Sequence, residues 1–242
     1  MTKLLIISFC SFDYRELALI WVSKLQNINV SNYIIIATDE KTYRFLVKHK
    51  VNTKLCVKNV SDTFWIYRMN VLHTFFMEKF DIIHSDLDAI WRKNIVPLLN
   101  DANIDMYFSQ GTICPEEHLK KHNFVLCCGF FYLRHNTKTL EFMKKYLIVL
   151  NKMKDDQRAI NKVLLDTIWK YEGRSFITHV KNYKYFHEDI IGFNNTYNLN
   201  ICLISMFKIQ RIYLNNEYYI SHILTPKVCS EKISKFKSLN II

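Results

Sequence analysis

Two carboxylates with a spacing suited to metal chemistry, Asp86 and Asp88, follow a short apolar stretch of the sequence. Side chains at positions i and i+2 of an extended segment point to the same side, so these two can converge on one cation. A pair of oxygen ligands with open coordination positions suits Mg²⁺ or Mn²⁺, which keep water and phosphate oxygens as their other ligands. The spacing therefore predicts a divalent-cation site that holds a diphosphate leaving group.

The residues around the two carboxylates separate this prediction from a simpler one. An Asp-x-Asp triplet is short and common, and by itself it fits two solvated carboxylates in a turn. Here Ile82 and Ile83 precede the carboxylates, and residues 89–91 follow them as a second half-buried segment. Turn carboxylates rarely have such neighbours, which favours the metal site. Trp91 itself is expected in the hydrophobic core.

The composition favours one compact domain over residues 1–242. Half of the residues are hydrophobic and 14% are aromatic, whereas Gly (4) and Pro (3) are scarce, so flexible linkers are not expected. The longest apolar runs are far shorter than the roughly 20 residues that span a bilayer, so no transmembrane segment is expected. The N-terminal residues are strand-like and lack the plan of a signal peptide.

Seven cysteines and a net charge of +11 bear on the compartment and the partners. The cysteines are odd in number and lack C-x-x-C spacing, so neither a zinc site nor a disulfide framework is indicated, and we expect a reducing, cytoplasmic location. The Lys and Arg residues are scattered without a dense basic run, so no nucleic-acid partner is expected. A nucleotide-sugar, peripheral contact with an anionic membrane, and a generic solvated surface are all compatible with the charge.

Strands and helices alternate in the first half of the sequence. Buried strands are predicted at residues 3–9, 32–37, 54–57 and 81–84, and helices at residues 14–25, 39–48 and 62–79. This alternation predicts an α/β fold with a parallel, doubly wound sheet. Ligands bind such sheets beyond the carboxyl ends of the strands, where Ser11, Asp39 and Asp86 fall.

The second half of the sequence is less regular. Strands are predicted at residues 104–109 and 128–133, and an amphipathic helix at residues 137–153. A further helix is predicted at residues 155–170, because acidic residues stand at its start, where the helix dipole favours them. From residue 176 onward the aromatic-rich sequence predicts short strands and loops.

Four ordered segments of the sequence match a known pattern. Residues 84–91 contain the Asp-x-Asp triplet, residues 36–39 read Ile-Ala-Thr-Asp, residues 127–134 read Cys-Cys-Gly-Phe-Phe-Tyr-Leu-Arg, and residues 156–161 begin with Asp-Gln. In this order they resemble segments of the nucleotide-diphospho-sugar transferases of the GT-A fold, in particular the group that contains plant xylosyl- and arabinosyltransferases. The resemblance covers roughly residues 3–165.

The resemblance implies both a fold and a function. The fold is a GT-A-type Rossmann-like sheet with helices on both faces, with a nucleotide-binding half at about residues 1–100 and a sugar and acceptor half at about residues 101–242. The function is that of a glycosyltransferase that depends on Mn²⁺ or Mg²⁺. It would move a sugar from a nucleoside-diphosphate sugar, with UDP-sugars favoured, to a glycan, glycoconjugate or other hydroxyl acceptor. A retaining outcome follows from the resemblance alone.

The resemblance also assigns the metal-binding end of the site. Asp88 is expected to be the principal ligand, and Asp86 is expected near both the metal and the donor ribose. His222 follows a late strand-like segment, where this fold places a metal-binding histidine; a surface or core histidine is the alternative. Lys227 is expected to contact the diphosphate as a point charge, with a solvated surface lysine as the alternative.

Five residues are expected around the nucleotide. Phe9, Cys10 and Ser11 stand at the end of the first strand, from which backbone and aromatic contacts to the base would come. Asp39 matches a family position near the nucleoside, and it can also cap the helix that follows it. Arg68 matches a basic residue of the family and is expected to reach phosphate, with a structural salt bridge as the alternative.

Asp156 and Gln157 are the expected catalytic residues on the sugar and acceptor side. A carboxylate there can bind sugar hydroxyls, stabilise an oxocarbenium-like state or act as a nucleophile. The alternative is a helix N-cap at Asp155 or Asp156. Gly129 is expected either to let the sugar approach the backbone or to relieve crowding in its strand.

Two other classes of function use the same features. A metal-dependent nuclease or phosphotransferase would also combine carboxylates such as Asp86 and Asp88 with a basic surface. Against it, the sequence shows no third acidic cluster of similar clarity and no Gly-rich phosphate loop. The other class is a binding module that keeps the fold without catalysis, and the intact carboxylates argue against it.

Overall fold

A computed structural model describes residues 3–59, 63–167, 169–172, 177–180, 183–212 and 217–242. The strands in these residues are β1 (Lys3–Cys10), β2 (Tyr33–Ala37), β3 (Thr53–Leu55), β4 (Phe80–Ser85), β5 (Ile90–Trp91), β6 (Met106–Gly111), β7 (Val125–Leu133), β8 (Trp169–Glu172), β9 (Ile177–Val180), β10 (Tyr183–Phe186), β11 (Ile190–Asn194), β12 (Leu199–Ile204), β13 (Ile209–Gln210) and β14 (Ile220–Ser221). The helices are α1 (Arg15–Asn27), α2 (Glu40–Lys48), α3 (Phe64–Met77), α4 (Glu116–His122), α5 (Thr137–Met153), α6 (Asp156–Leu165) and α7 (Cys229–Ser238). None of these helices is both long and apolar enough to cross a membrane.

Nine of these strands form one sheet, in the order β3-β2-β1-β4-β7-β6-β12-β11-β8. Strands β3, β2, β1 and β4 are parallel, which confirms the arrangement predicted for the first half of the sequence. Strand β7 runs antiparallel to both β4 and β6, and β11 runs antiparallel to both β12 and β8. The sheet therefore contains strands from both halves of the sequence.

Helices cover both faces of this sheet, as predicted. One core contains Trp21 of α1, Leu46 of α2 and Phe236 of α7. The core on the other face contains Phe76 of α3 and Tyr146 of α5. The central strands β4 and β7 are covered on both faces, so they are buried along almost their whole length. Strands in this position are typically apolar on both faces.

The predicted helix over residues 155–170 is wrong at its C-terminal end. Helix α6 ends at Leu165, and the residues from Trp169 onward form β8, which pairs with β11. The indole of Trp169 lies over Gly192 of β11, where a Cβ atom would come within 2.8 Å of the ring atom Cη2. Packing of this large side chain against its partner strand overrides the helical pattern.

Helix α7 contradicts the prediction of strands and loops alone after residue 176. It buries Lys232 and Phe236 on one face, and Ile233 is partly buried beside them. Most of its other residues are Ser, Lys and Glu, so its apolar face is too short to stand out in the sequence. The short helix α4 was not predicted either.

A small sheet brings the C-terminal part of the chain to the end of β4. Strand β14 pairs with β5 in antiparallel fashion, with Ser221 opposite Ile90. Trp91 of β5 is fully buried, as predicted, and its indole N–H donates to Ser85 Oγ at 3.0 Å. This pairing places His222, the residue after β14, beside the turn that follows β4.

Candidate active site

Asp86, Asp88 and His222 lie together at the end of β4. One ligand atom from each side chain lies within 4.8 Å of the other two. The Nε2 atom of His222 is 3.4 Å from Asp88 Oδ1 and 3.9 Å from Asp86 Oδ2. Two carboxylates and one imidazole form a donor set that fits a divalent cation such as Mn²⁺.

The two carboxylates converge through a turn rather than through the extended segment that their spacing suggested. Strand β4 ends at Ser85, and the Ala89 N–H donates to the Asp86 carbonyl at 2.9 Å, which closes the turn. The Asp86 N–H donates to the Gly129 carbonyl at 2.8 Å and ties the turn to β7. The expected convergence is present, but the geometric reason given for it was wrong.

Gly129 provides the room that His222 needs. A Cβ atom at this position would come within 2.8 Å of both His222 Nε2 and Asp86 Oδ2, and nearer still to His222 Cε1. Of the two roles expected for this glycine, relief of crowding is the one that its surroundings require. The crowding comes from the imidazole and the carboxylate of the candidate metal site.

We expect Gly129→Ala to lower the free energy of unfolding by about 1–3 kcal/mol and to weaken Mn²⁺ binding, because the methyl group would displace His222 and Asp86. Urea denaturation and a Mn²⁺ titration measure the two effects. The control is the same substitution in a His222→Ala background, where two of the three close contacts are absent and the cost should be smaller. Equal costs in both backgrounds would contradict this account of the glycine.

Neighbouring charges set the protonation of the ligand side chains. Burial opposes ionisation of Asp88, but its bond to His222 and the charge of Lys232 outweigh burial and hold its pKa below the usual range. Burial and the charge of Arg211 lower the pKa of His222, yet contacts with Asp88 and Cys127 outweigh them, and the pKa lies above its ordinary value. Because only the neutral imidazole is a metal ligand, protonation of His222 opposes binding of a cation.

Arg68 joins Asp86 to Asp156. Its Nη1 atom donates to Asp86 Oδ1 at 2.8 Å and lies 3.1 Å from His84 Nε2, and its Nη2 atom donates to Asp156. The guanidinium therefore engages one oxygen of Asp86, while the other oxygen faces His222. Arg68 is only 2% exposed and forms the salt bridges given as the alternative, and its contact with phosphate remains a prediction.

For both Asp86 and Asp156, burial raises the pKa and the charge of Arg68 lowers it. Burial raises the pKa of Asp156, and Arg68 offsets this only in part. Burial also favours the protonated form of Asp86, but Arg68 and the hydrogen bond with His84 outweigh it, so that this pKa lies below its usual value. Because both carboxyl groups contact one guanidinium, they would repel each other without it.

Asp156 and Gln157 begin α6 and bond to neighbouring protein groups. The N-cap of this helix is Asp155, whose side chain accepts a backbone N–H at 2.8 Å, so capping does not account for Asp156. Gln157 Nε2 donates to the Cys114 carbonyl at 2.5 Å, and its Oε1 accepts from the Cys128 N–H at 3.5 Å. Gln157 thus connects β7 to the segment before α4. The catalytic roles expected for Asp156 and Gln157 remain predictions.

A cavity of about 400 Å³ opens beside the candidate metal site. Its walls come from the ends of β1 and β2, the start of α3, the turn after β4, and α7. The lining residues are Phe9, Ser11, Tyr14, Thr38, Lys58, Phe64, Trp65, Asp86, Leu87, Asp88 and Lys232. A volume of this order, within the range of roughly 300–1,000 Å³ common for small-molecule sites, is enough for a nucleotide.

The residues expected around a nucleotide divide into two groups. Phe9 and Ser11 line the cavity, whereas the Cys10 side chain is 1% exposed and packs in the core that contains α1. Asp39 caps α2, and its carboxylate accepts a backbone N–H and a hydroxyl of that helix, each at 2.7 Å. Its neighbour Thr38 lines the cavity instead. The backbone contact expected at Cys10 and the nucleotide contact expected of the Asp39 carboxylate beside its cap both remain predictions.

Lys232 brings an ammonium group to the carboxylates, and the contact of Lys227 with a diphosphate remains a prediction. Lys227 is exposed, and its carbonyl accepts from the Tyr14 hydroxyl at 2.6 Å. Lys232 Nζ donates to Asp88 Oδ2 and to Thr225 Oγ1, the latter at 3.0 Å. Lys232 precedes Phe236 by four residues, which places both on one face of a helix. This signal was not used because helix α7 was not predicted.

Comparisons with known proteins define the class to which this fold and site belong. The structure of an active-site mutant of LgtC matches with a TM-score of 0.54 over 98% of this chain and 95% of that chain, at 10% sequence identity. The sheet and its helices therefore have the GT-A fold. The profile of the nucleotide-diphospho-sugar transferases matches residues 28–235. The chain belongs to this family, as the four ordered segments predicted.

Two curated relatives are similar to parts of the chain. Beta-arabinofuranosyltransferase RAY1 of Arabidopsis thaliana is 22% identical in an alignment over 161 residues, with coverage of 59% of this chain and 29% of the relative. UDP-galactose:fucoside alpha-3-galactosyltransferase of Dictyostelium discoideum is 20% identical in an alignment over 198 residues, with coverage of 66% of this chain and 30% of the relative. The chain thus matches less than a third of the length of either relative.

Proposed function

We propose that this chain transfers a sugar from a nucleoside-diphosphate donor to a hydroxyl acceptor with the help of a divalent cation. The observation that carries the proposal is the convergence of Asp86, Asp88 and His222 at the edge of a 400 Å³ cavity. Both relatives are glycosyltransferases by name, and one name contains UDP-galactose. These names support a UDP-sugar donor and a glycan or glycoconjugate acceptor.

The carboxylate end of the cavity would hold the departing diphosphate. Asp86, Asp88 and His222 would bind Mn²⁺ or Mg²⁺, which when bound neutralises the negative charge that develops on the diphosphate. Arg68 keeps Asp86 ionised and turned so that one oxygen faces His222. Because the ligands come from a turn that is bonded to β7 and from the residue after β14, the protein orients them before a donor arrives.

The aromatic end of the cavity would hold the nucleoside. Phe9 and Phe64 meet edge to face with their ring centroids 6.1 Å apart, and both line the cavity with Trp65. Trp65 is 40% exposed, so its indole can offer a planar surface on which a base stacks. In this orientation the diphosphate lies towards Asp88.

A retaining outcome is part of the proposal, and the resemblance of residues 156–161 supports it. The guanidinium of Arg68 bonds to both Asp156 and the metal-site carboxylate Asp86. It therefore connects the expected sugar side of the site with the metal side. We expect the product to keep the anomeric configuration of the donor. NMR of the product tests this directly, and an inverted anomeric centre would contradict it.

Thermal melting with and without metal tests the proposed function. A nucleotide at about 100 times its dissociation constant adds about 2.7 kcal/mol of stability, which for a chain of this size raises Tm by ~5–10 °C. We expect such a rise with UDP or a UDP-sugar only when Mn²⁺ is present, together with slow hydrolysis of the donor.

The melting assay, together with an assay of nucleic-acid cleavage, separates this function from the competing one. If no UDP- or GDP-sugar shifts Tm in the presence of Mn²⁺, the proposed function is wrong. Metal-dependent cleavage of nucleic acid without hydrolysis of any nucleotide-sugar would instead support the nuclease or phosphotransferase that also fits Asp86 and Asp88.

A further inference from the structure

The carboxylate of Asp88 has a protein cation as a partner in this structure. Lys232 Nζ donates to Asp88 Oδ2 and to Thr225 Oγ1. The Lys232 side chain is only 11% exposed and the Asp88 side chain 16%, so water screens this ion pair less than a surface pair. The other oxygen of Asp88 faces His222 Nε2 at 3.4 Å. Both oxygens of the expected principal metal ligand therefore have partners within the protein.

An ammonium group at this position works against a divalent cation. Like charges a few ångströms apart repel strongly where water is scarce, and Asp88 attracts both cations through the same carboxylate. Lysine carries its charge on a flexible stem of four carbons, so the ammonium can leave the carboxylate without movement of α7. Lys232 also lines the cavity, where a diphosphate would offer it a second anionic partner.

We propose, on the basis of the function proposed above, that Lys232 competes with the divalent cation for Asp88 and makes tight metal binding conditional on the diphosphate. With no diphosphate present, the ammonium holds Asp88 and weakens metal binding. A diphosphate draws the ammonium away, and the cation then gains the full charge of Asp88. Because coupling between two ligands is reciprocal, the cation must strengthen diphosphate binding by the same factor.

The Lys232→Met protein tests this competition, because methionine removes the charge and has a similar helix propensity. We measure the dissociation constant of Mn²⁺ alone from the EPR signal of the free ion, and that of UDP with and without Mn²⁺ by calorimetry. We expect Lys232→Met to bind Mn²⁺ alone roughly tenfold tighter than the wild type. It should bind UDP alone more weakly, and the factor by which Mn²⁺ and UDP assist each other should fall but stay above one, because the cation would still contact the diphosphate. If the role of Lys232 were purely structural, Lys232→Met would weaken the binding of both Mn²⁺ and UDP.

Matched variants separate charge from general damage. Lys235→Met makes the same change on the same helix at an exposed residue, and it should bind Mn²⁺ as the wild type does. Lys232→Arg keeps the positive charge and should retain the weak binding of Mn²⁺ alone. Thr225→Val removes the second contact of the ammonium and should strengthen Mn²⁺ binding by a smaller factor, which provides a test if Lys232→Met fails to fold.

The outcomes distinguish this inference from the proposed function on which it rests. If Asp88→Asn binds Mn²⁺ as tightly as the wild type, the metal site itself is wrong. If Asp88→Asn loses Mn²⁺ while Lys232→Met binds it no tighter than the wild type, the metal site stands and the competition is overturned. Tighter Mn²⁺ binding with an unchanged coupling factor would overturn the conditional part of the proposal.

Discussion

The Asp88→Asn protein is expected to lose metal-dependent nucleotide binding and to transfer sugar at least about a hundredfold more slowly. Asparagine has nearly the same size as aspartate, so the turn after β4 should keep its shape. The substitution removes the negative charge that faces both His222 and Lys232. Without that charge, the remaining donors are one carboxylate and one imidazole, and the positive charge of Lys232 stays beside them.

Melting with Mn²⁺ and UDP, followed by a transfer assay, measures the two losses. Asp189→Asn serves as the control, because Asp189 accepts from the Ser205 N–H at 2.7 Å and does not line the cavity. This control should keep the Mn²⁺-dependent rise in Tm. A wild-type affinity for nucleotide in the presence of Mn²⁺ in Asp88→Asn would refute the metal role of Asp88.

The sequence could predict those features of the site that depend on local pattern. Strands β1, β2 and β4 are largely apolar runs that alternate with helices, and a parallel strand buried on both faces has this appearance in any context. Asp86 and Asp88 follow the last of these strands directly. Recognition of this strand end requires no long-range contact, which is why the metal-site carboxylates were accessible from sequence.

Lys232 was missed because its role depends on a contact between distant parts of the chain. It stands 144 positions from Asp88, on a helix with a short apolar face. Its burial beside Phe236 is a property of the folded core, and a lysine on a basic helix usually indicates a solvated surface. Lys227 lies nearer to the predicted histidine in sequence, but its side chain is exposed.

The alternation of side chains along a strand explains which residue at the end of β1 lines the cavity. Phe9 and Cys10 are neighbours in β1, so their side chains must point to opposite faces of the sheet. They do belong to different cores, and Phe9 is the one that lines the cavity. The sequence predicts aromatic and backbone contacts to a base from these residues, and the alternation leaves the Phe9 ring, rather than the Cys10 thiol, on the cavity side.

Arg68→Met is expected to lower the free energy of unfolding by about 3–5 kcal/mol, because it leaves the buried Asp156 and the half-buried Asp86 without their shared cation. The Arg68 and Asp156 side chains are only 2% and 4% exposed, so water cannot replace the guanidinium. Methionine keeps part of the apolar volume and thereby separates loss of charge from loss of packing. Urea denaturation at neutral pH measures the change.

The pH dependence of this loss follows from Asp156. Burial already raises the pKa of this carboxyl group, and removal of Arg68 should raise it further. A carboxyl group with a higher pKa in the folded than in the unfolded protein binds more protons when folded, so stability falls as pH rises through the interval between the two values. The deficit of Arg68→Met relative to the wild type should therefore shrink as pH falls from neutral into the acid range.

Arg44→Met is the matched control for the loss of an arginine charge. Arg44 pairs with Glu40 at the surface, where the side chains are 78% and 53% exposed, and such a pair contributes about 0.3–0.5 kcal/mol. The control should stay close to the wild type at every pH. A deficit for Arg68→Met that stays below about 1 kcal/mol, or that grows in acid, would contradict the buried ion-pair network. If the network is as described, Arg68→Met should also weaken Mn²⁺ binding, because Asp86 loses the contact that orients it towards His222.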